Sequence, residues 1–143
     1  MKNSKSIQIG VIGVGHLGSF HLEQLSKIQE VAISGIYDVD LERGKKISKD
    51  YGTLFFPSME KLLDASDAVS IVTPTSSHYM IADKALDFGC HTFIEKPITD
   101  NLDQARALLN KADKEKKIIQ VGHIERFNPA FIILEKMDLN PHF

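Results

Sequence analysis

Residues 7–18 read IQIGVIGVGHLG, and this stretch decides the fold. Ile7, Ile9, Val11 and Ile12 form an apolar run of strand length that reads as a buried strand. The run breaks into Gly13, Gly15 and Gly18, spaced G-x-G-x-x-G, and a helical pattern follows at once. A glycine turn between a strand and a helix suits a phosphate group. Gly13 permits the tight turn, Gly15 has no side chain to keep a pyrophosphate off the backbone, and Gly18 lets the helix pack close to a sheet. The helix start adds unpaired N–H groups and a partial positive charge. The bland alternative is a glycine-rich turn that holds nothing.

Working outward, the 143 residues are 43% hydrophobic and 25% charged, enough for one globular domain with a real core. A net charge of −2 gives no reason to expect a nucleic-acid or membrane partner. The single cysteine, Cys90, has no internal disulfide partner, no metal cluster is expected, and the chain reads as cytoplasmic. The polar start MKNSKS carries no secretory pattern.

The periodicity predicts a helix from His16 to about Ile28, with Leu17, Phe20, Leu25 and Ile28 in one arc. His21 falls in that arc and reads as a buried histidine satisfied by a hydrogen bond. A second strand, Val31–Tyr37, ends at Asp38, which stands 20 positions beyond Gly18. An acid there suits an adenosine ribose diol; its bland reading is a loop aspartate, although Asp40 fits the cap of the next helix better. The charge on Asp38 disfavours a 2′-phosphate and so favours NAD over NADP. Arg43, one turn into the helix over 41–50, points the other way, being suited to an adenine ring or a 2′-phosphate.

Further along, Thr53–Phe56 reads as a short strand, MEKLLD as a short helix and Ala68–Val72 as a strand stopped by Thr73-Pro74. A helix capped by Ser76 or Ser77 runs to Phe88, with Ile81, Ala82, Ala85 and Phe88 as its apolar face. His91–Ile94 is a strand ending in Glu95-Lys96-Pro97. Thr99 or Asp100 starts a helix with Leu102, Ala105, Leu109 and Ala112 on its inner face. Ile118–Val121 is the sixth strand, closed by Gly122. Asn128-Pro129 caps and opens a last helix. Strands alternating with helices predict a doubly wound, mostly parallel α/β sheet of Rossmann type. In such sheets ligands bind at the carboxyl ends of the strands. Those ends carry the glycine turn, Asp38, Thr73-Pro74, Glu95-Lys96-Pro97 and Gly122-His123, so the unusual polar residues converge on one edge.

At that edge Pro97 biases Lys96 toward an extended backbone. A lysine held there suits hydrogen bonding to a substrate hydroxyl and stabilising oxyanion character as a carbonyl forms. Its bland reading is a surface lysine paired with Glu95. His78 and His123 are candidates near the same place, with caps or surface positions as alternatives. His16, at a variable position of the glycine turn, reads as exposed.

GVGHLG, Asp38, VTPTSSHY, EKP and VGHIERFNP, in this order over nearly the whole chain, resemble the amino-terminal domain of the Gfo/Idh/MocA oxidoreductases. EKP is the most specific of these elements. The resemblance implies that Gly13, Gly15 and Gly18 hold a pyrophosphate, with Val14, His16 and Leu17 also among the cofactor-binding residues. Asp38 would hold the adenosine ribose with Arg43 near the adenine, and Thr73, Pro74 and His78 would line the nicotinamide half. Glu95 would contact the nicotinamide ribose, and Lys96 would be the active-site lysine. The GHIERFNP stretch would face the substrate, with His123, Arg126 and Asn128 on that side. The implied activity is NAD(P)-dependent hydride transfer with a sugar, nucleotide sugar or cyclitol.

Members are usually more than twice this long, with a second α/β domain that binds substrate, mediates oligomers and supplies an Asp-x-x-x-His pair as acid/base. The expected division is therefore a dinucleotide-binding domain over 1–122 and, over 123–143, the start of a connection to that second domain. Asp138 and His142 have the pair's spacing by coincidence. A fragment, a truncated product and half of a split enzyme all fit, and oligomers are expected only of the longer form. Two other classes share these motifs: a non-catalytic dinucleotide sensor and a module for another adenosine ligand such as a methyl donor.

Overall fold

The computed structural model describes residues 6–137. The Asp138–His142 pair and the end of the expected connection lie outside those residues. The elements run β1 (Ile7–Ile12), α1 (His16–Leu25), β2 (Val31–Tyr37), α2 (Leu41–Tyr51), α3 (Met59–Asp64), β3 (Ala68–Ile71), α4 (Thr75–Asp87), β4 (His91–Ile94), α5 (Leu102–Glu115), β5 (Ile119–Val121), a 3-10 turn (Ile124–Phe127) and α6 (Pro129–Lys136). The five strands form one sheet in the order β2-β1-β3-β4-β5, and every pairing is parallel.

The expected strand over 53–56 is reduced to one parallel bridge, Ile36 with Phe55, on the far side of β2. Two hydrogen bonds fix it: the Ile36 amide donates to the Leu54 carbonyl and the Phe56 amide to the Ile36 carbonyl. The five-strand count corrects the six expected, yet the bridge occupies the place a third strand takes in the 3-2-1-4-5-6 order. The chain turns away at once into Ser58 and α3.

Adjacent residues of one strand feed opposite layers, as the pleat requires. Val11 packs with Val14, Leu22 and Ile36 under α1 and α2. Ile12 packs with Leu62, Ile71, Leu86, Ile94 and Leu108 under α3, α4 and α5. Cys90 belongs to this second layer; its thiol donates to the Leu63 and Ser66 carbonyls, and burial pushes its pKa up.

Three helices start or face differently from expectation. α1 ends at Leu25 because Lys27 and Ile28 turn back to the Gln24 and Leu25 carbonyls. Its buried residues are Gly18 and Leu22, while Leu17, Phe20 and Ile28 are about half exposed. They face a part of the sheet with no helix over it among the described residues, where they wall an open apolar hollow of about 700 Å³ with Ile9, Ser70 and Phe93. α4 begins at Thr75 with no side-chain cap, since the Ser77 hydroxyl bonds Thr73 and Pro74 instead. α5 is capped by Asn101, whose Oδ1 accepts from the Gln104 amide, and buries Ala105, Leu108 and Ala112 rather than Leu102 and Leu109.

The turn after β1 is built by close approach. A Cβ on Gly18 would lie 2.0 Å from the Gly13 carbonyl oxygen. Gly13 has φ +85° and faces the Val72 carbonyl. Neither neighbour is a movable side-chain tip. Gly18→Ala is therefore expected to destabilise the fold by about 2 kcal/mol or more, in the range of overpacked sites. Urea unfolding checks this, and an unchanged midpoint would refute the close-approach reading.

Candidate dinucleotide site

Two hollows of about 390 and 560 Å³ lie side by side at the carboxyl ends of β1 and β3, where the winding of the sheet reverses. Gly15, Val72, Thr73 and Pro74 belong to both. The first adds Gly13, Asp38 and Arg43; the second adds His16, Leu17, Gly18, Glu95, Lys96 and Gly122. A third hollow of about 390 Å³ shares Lys96, Gly122 and Ile124 with the second and extends to His123 and Arg126. The sequence of hollows thus runs from Asp38, over the glycine turn, to Lys96 and on to His123.

Asp38 is buried at the end of β2, and its carboxylate is fully engaged. Oδ2 accepts from the Val14 amide at 2.8 Å and from Arg43 Nε at 3.0 Å. Oδ1 accepts from the Asp40 amide at 2.9 Å and from Arg43 Nη2 at 2.8 Å. Asp40, as the sequence suggests, caps α2 by accepting from the Arg43 amide. Arg43 does not reach out toward an adenine; its guanidinium lies on Asp38 as a bidentate pair while remaining 44% exposed. A ribose diol therefore reaches Asp38 only if Arg43 swings aside, and its exposure leaves it room to do so.

α1 starts at Gly15 without a side-chain cap, so its first turn offers amides to the second hollow. Among the described residues nothing lies within 4 Å of the place a Gly15 Cβ would occupy, and its φ of −67° is open to any residue. The fold gives no reason for glycine there, whereas a phosphate lying on the backbone does. Val14 contributes its amide to Asp38 while its side chain is buried in the α1–α2 layer.

Glu95 does not pair with the Lys96 ammonium. Its Oε1 meets His21 Nε2 at 3.1 Å, and its Oε2 accepts from the Lys96 backbone amide at 3.2 Å. Lys96 is exposed, and its ammonium has no ion-pair partner among the described residues. The Lys96–Pro97 peptide is cis. The structure does not bring His78 to either hollow: it is buried behind them, its ring nitrogens against the Pro97 and Thr73 carbonyls at 2.9 and 2.8 Å. There it ties the strand end carrying Lys96 to the one carrying Thr73. Asn128 caps α6 by accepting from the Ala130 amide and donates to Glu125, outside the third hollow. Ser70, which the sequence does not single out, and Gly122, which it places only as a strand end on this edge, shape the site. Ser70 bonds His21, and a Cβ on Gly122 would lie 2.9 Å from Glu95 Oε1. Among the described residues no three His, Cys, Asp or Glu side chains group as a metal site, and no helix is long and apolar enough to cross a membrane.

A parallel doubly wound sheet with a glycine turn, a buried acid at the second strand end and paired hollows at the switch point defines a Rossmann-type dinucleotide-binding domain. The chain belongs to the Gfo/Idh/MocA oxidoreductase family, whose NAD-binding Rossmann-fold model matches residues 7–123. It is 41% identical over 130 residues to UDP-N-acetylglucosamine 3-dehydrogenase of Acidithiobacillus ferrooxidans, covering 91% of this chain and 41% of that protein. It is 32% identical over 139 residues to inositol 2-dehydrogenase of Corynebacterium glutamicum, covering 94% and 41%. The solved structure of the Acidithiobacillus enzyme superposes with a TM-score of 0.88 at 39% identity, over 93% of this chain and 43% of that one. The chain thus spans about two fifths of the length of these relatives. A gentamicin-biosynthesis protein, GenD2, solved in complex with NAD, shares the fold with a TM-score of 0.88 at 22% identity, over 95% of this chain and 40% of that one.

Burial pushes the Asp38 carboxyl up, but the Arg43 hydrogen bonds, the Asp40 and Val14 amides and the Arg43 charge outweigh it. The group is held below the usual carboxylate range. A depressed carboxylate stabilises the fold above its unfolded value, near 3.9, and that contribution is lost as pH falls through its folded value. The stability advantage of the wild type over Asp38→Asn should therefore be level above about pH 5 and shrink as the pH falls below about 4. Urea unfolding at a series of pH values checks this; a gap that stays level down to pH 2 would contradict it.

Proposed function

We propose that the two adjoining hollows hold the halves of NAD, and that this chain is the cofactor half of an enzyme that moves hydride to or from a hydroxyl-bearing carbon. The observation that carries the reading is Gly15. It has open space above it, no conformational need for glycine, an uncapped helix start beneath it, and a place in both hollows. In this reading the pyrophosphate lies over Gly15 and the first amides of α1. The adenosine ribose replaces Arg43 on Asp38, and the nicotinamide side faces Glu95 and Lys96. Bound there, the nicotinamide supplies the hydride acceptor or donor.

The chain's own part in the chemistry follows from Lys96. Lys96 is exposed and lines both the second and the third hollow. A substrate hydroxyl placed there accepts a hydrogen bond from Nζ, and the positive charge stabilises the oxygen as a carbonyl forms. The hydroxyl proton goes to a separate acceptor, which the family resemblance puts in the substrate domain. The substrate is a sugar, nucleotide sugar or cyclitol, lying toward His123 and Arg126. That class rests on the names of the relatives, among them a UDP-N-acetylglucosamine 3-dehydrogenase and an inositol 2-dehydrogenase.

The experiment is a fluorescence titration with NADH and NADPH. Saturable NADH binding is expected to weaken at least tenfold, about 1.4 kcal/mol, in Asp38→Ala. Gly15→Ala is expected to unfold within about 0.5 kcal/mol of the wild type yet to bind NADH far more weakly. If Gly15→Ala binds as well as the wild type, the pyrophosphate does not lie where the reading puts it.

A further inference from the structure

Glu95 stands on the wall between the second hollow and the apolar hollow beside α1, lining both. A glutamate side chain at a strand end has three rotatable bonds, and the ammonium of Lys96, without an ion-pair partner among the described residues, is its neighbour in sequence. The simplest expectation is that the two collapse into an ion pair, which would mask both. They do not, and the structure shows what holds them apart. His21, projecting from α1, meets Glu95 Oε1 at 3.1 Å through Nε2 and Ser70 Oγ at 2.8 Å through Nδ1. An ionised carboxylate only accepts, so Nε2 carries the proton; in the neutral ring Nδ1 then accepts from the Ser70 hydroxyl. Ser70 is buried in β3, and the His21 ring packs edge-to-face with Phe93 of β4 at 5.6 Å between centroids. On the other side Gly122 leaves the space that the carboxylate fills. Glu95 is thus pinned by groups from α1, β3 and the end of β5. Its Oε2 bonds only the Lys96 amide, at 3.2 Å, among the described residues.

We propose that His21 is a positioning residue for the nicotinamide-side ribose: through the Ser70–His21–Glu95 chain it presents Glu95 to a ribose hydroxyl and keeps it off the Lys96 ammonium. The proposal rests on the dinucleotide reading above. His21 lines the apolar hollow and not the second one, so it acts through Glu95 rather than by touching the cofactor. The same contact links the helix that would hold the pyrophosphate to the strand end that carries the active-site lysine.

The test compares NADH with ADP, which has the adenosine half and the pyrophosphate but lacks the second ribose. Dissociation constants are measured for the wild type, His21→Phe, His21→Gln, Glu95→Gln and the His21→Phe/Glu95→Gln double variant. His21→Phe is expected to weaken NADH by about three- to tenfold, the net worth of an ordinary hydrogen bond, since His21 acts through Glu95, and to leave ADP within about twofold. His21→Gln keeps a donor within reach of Glu95 and is expected to regain most of the loss. In the Glu95→Gln background, His21→Phe is expected to add little. Equal losses for NADH and ADP would mean that His21 only packs the helix, and would overturn the proposal. An unchanged NADH affinity, a full additional loss without Glu95, or no recovery with Gln would overturn it as well. Should His21→Phe fold poorly, the NADH-to-ADP ratio in Ser70→Ala, expected to shift in the same direction, decides. Failure of the wild type to bind either ligand would instead refute the dinucleotide reading, and this proposal with it.

Discussion

The buried carboxylate of Asp38 is the contact on which the site's geometry depends. Asp38 ends β2, and Val14 sits in the turn after β1, 24 positions earlier in the chain. The bond between them closes the glycine turn against the neighbouring strand, helped by the Gly13 amide donating to the Tyr37 carbonyl at 2.9 Å. A buried carboxylate is tolerated only where its charge and lone pairs are met. Two backbone amides and one guanidinium meet them here, and the amides cannot leave. The guanidinium can, because it belongs to an exposed side chain. The fixed part of the arrangement therefore shapes the turn, and the exchangeable part, in the proposed function, gives way to a ribose diol.

Arg43 reconciles two opposed signals in the sequence. An acid at the end of the second strand speaks for a free 2′-hydroxyl, and an arginine five positions on speaks for a phosphate. In the structure they form one pair, each answering the other's charge, which raises the pKa of Arg43 as it lowers that of Asp38. The arginine thus has a partner when nothing else is near and does not by itself signal a phosphate. The opposite holds at the other end of the site, where Glu95 and Lys96 adjoin in sequence and form no ion pair.

Most of the fold was legible because its signals are local. Apolar runs bounded by Gly, Pro and Asp mark the strands, and Asp40 and Asn128 cap helices where the sequence places them. The misread parts depend on what lies across the sheet. Residues 53–56 have the composition of a strand, yet only Phe55 finds a ladder partner before the chain leaves for α3. The arc of Leu17, Phe20 and Ile28 has the right spacing for a buried face, but parallel sheets are usually covered on both sides. Here no helix covers β3–β5 on the α1 side among the described residues. His21 was legible as a satisfied histidine, but its partners, 49 and 74 positions away, were not. His78 looked like a site residue because it follows TPTSS; only the fold shows its ring turned inward onto two carbonyls.

The three motif glycines show how structure separates what a sequence pattern merges. Gly13 and Gly18 are explained by the protein itself: one turns the chain at positive φ, and the other lets the first turn of α1 press on a carbonyl. A folded chain would need both even with no ligand. Gly15 is different, because a side chain there would meet nothing and strain nothing. A position where the protein has no use for glycine, between two positions where it does, points outward to something that must come within contact distance of the backbone. With an uncapped helix start below it and the Asp38 carboxylate to one side, the object best suited to that space is an anion attached to a diol. That is a stronger argument for a dinucleotide than the spacing of the motif, since the spacing alone would be satisfied by a turn that holds nothing.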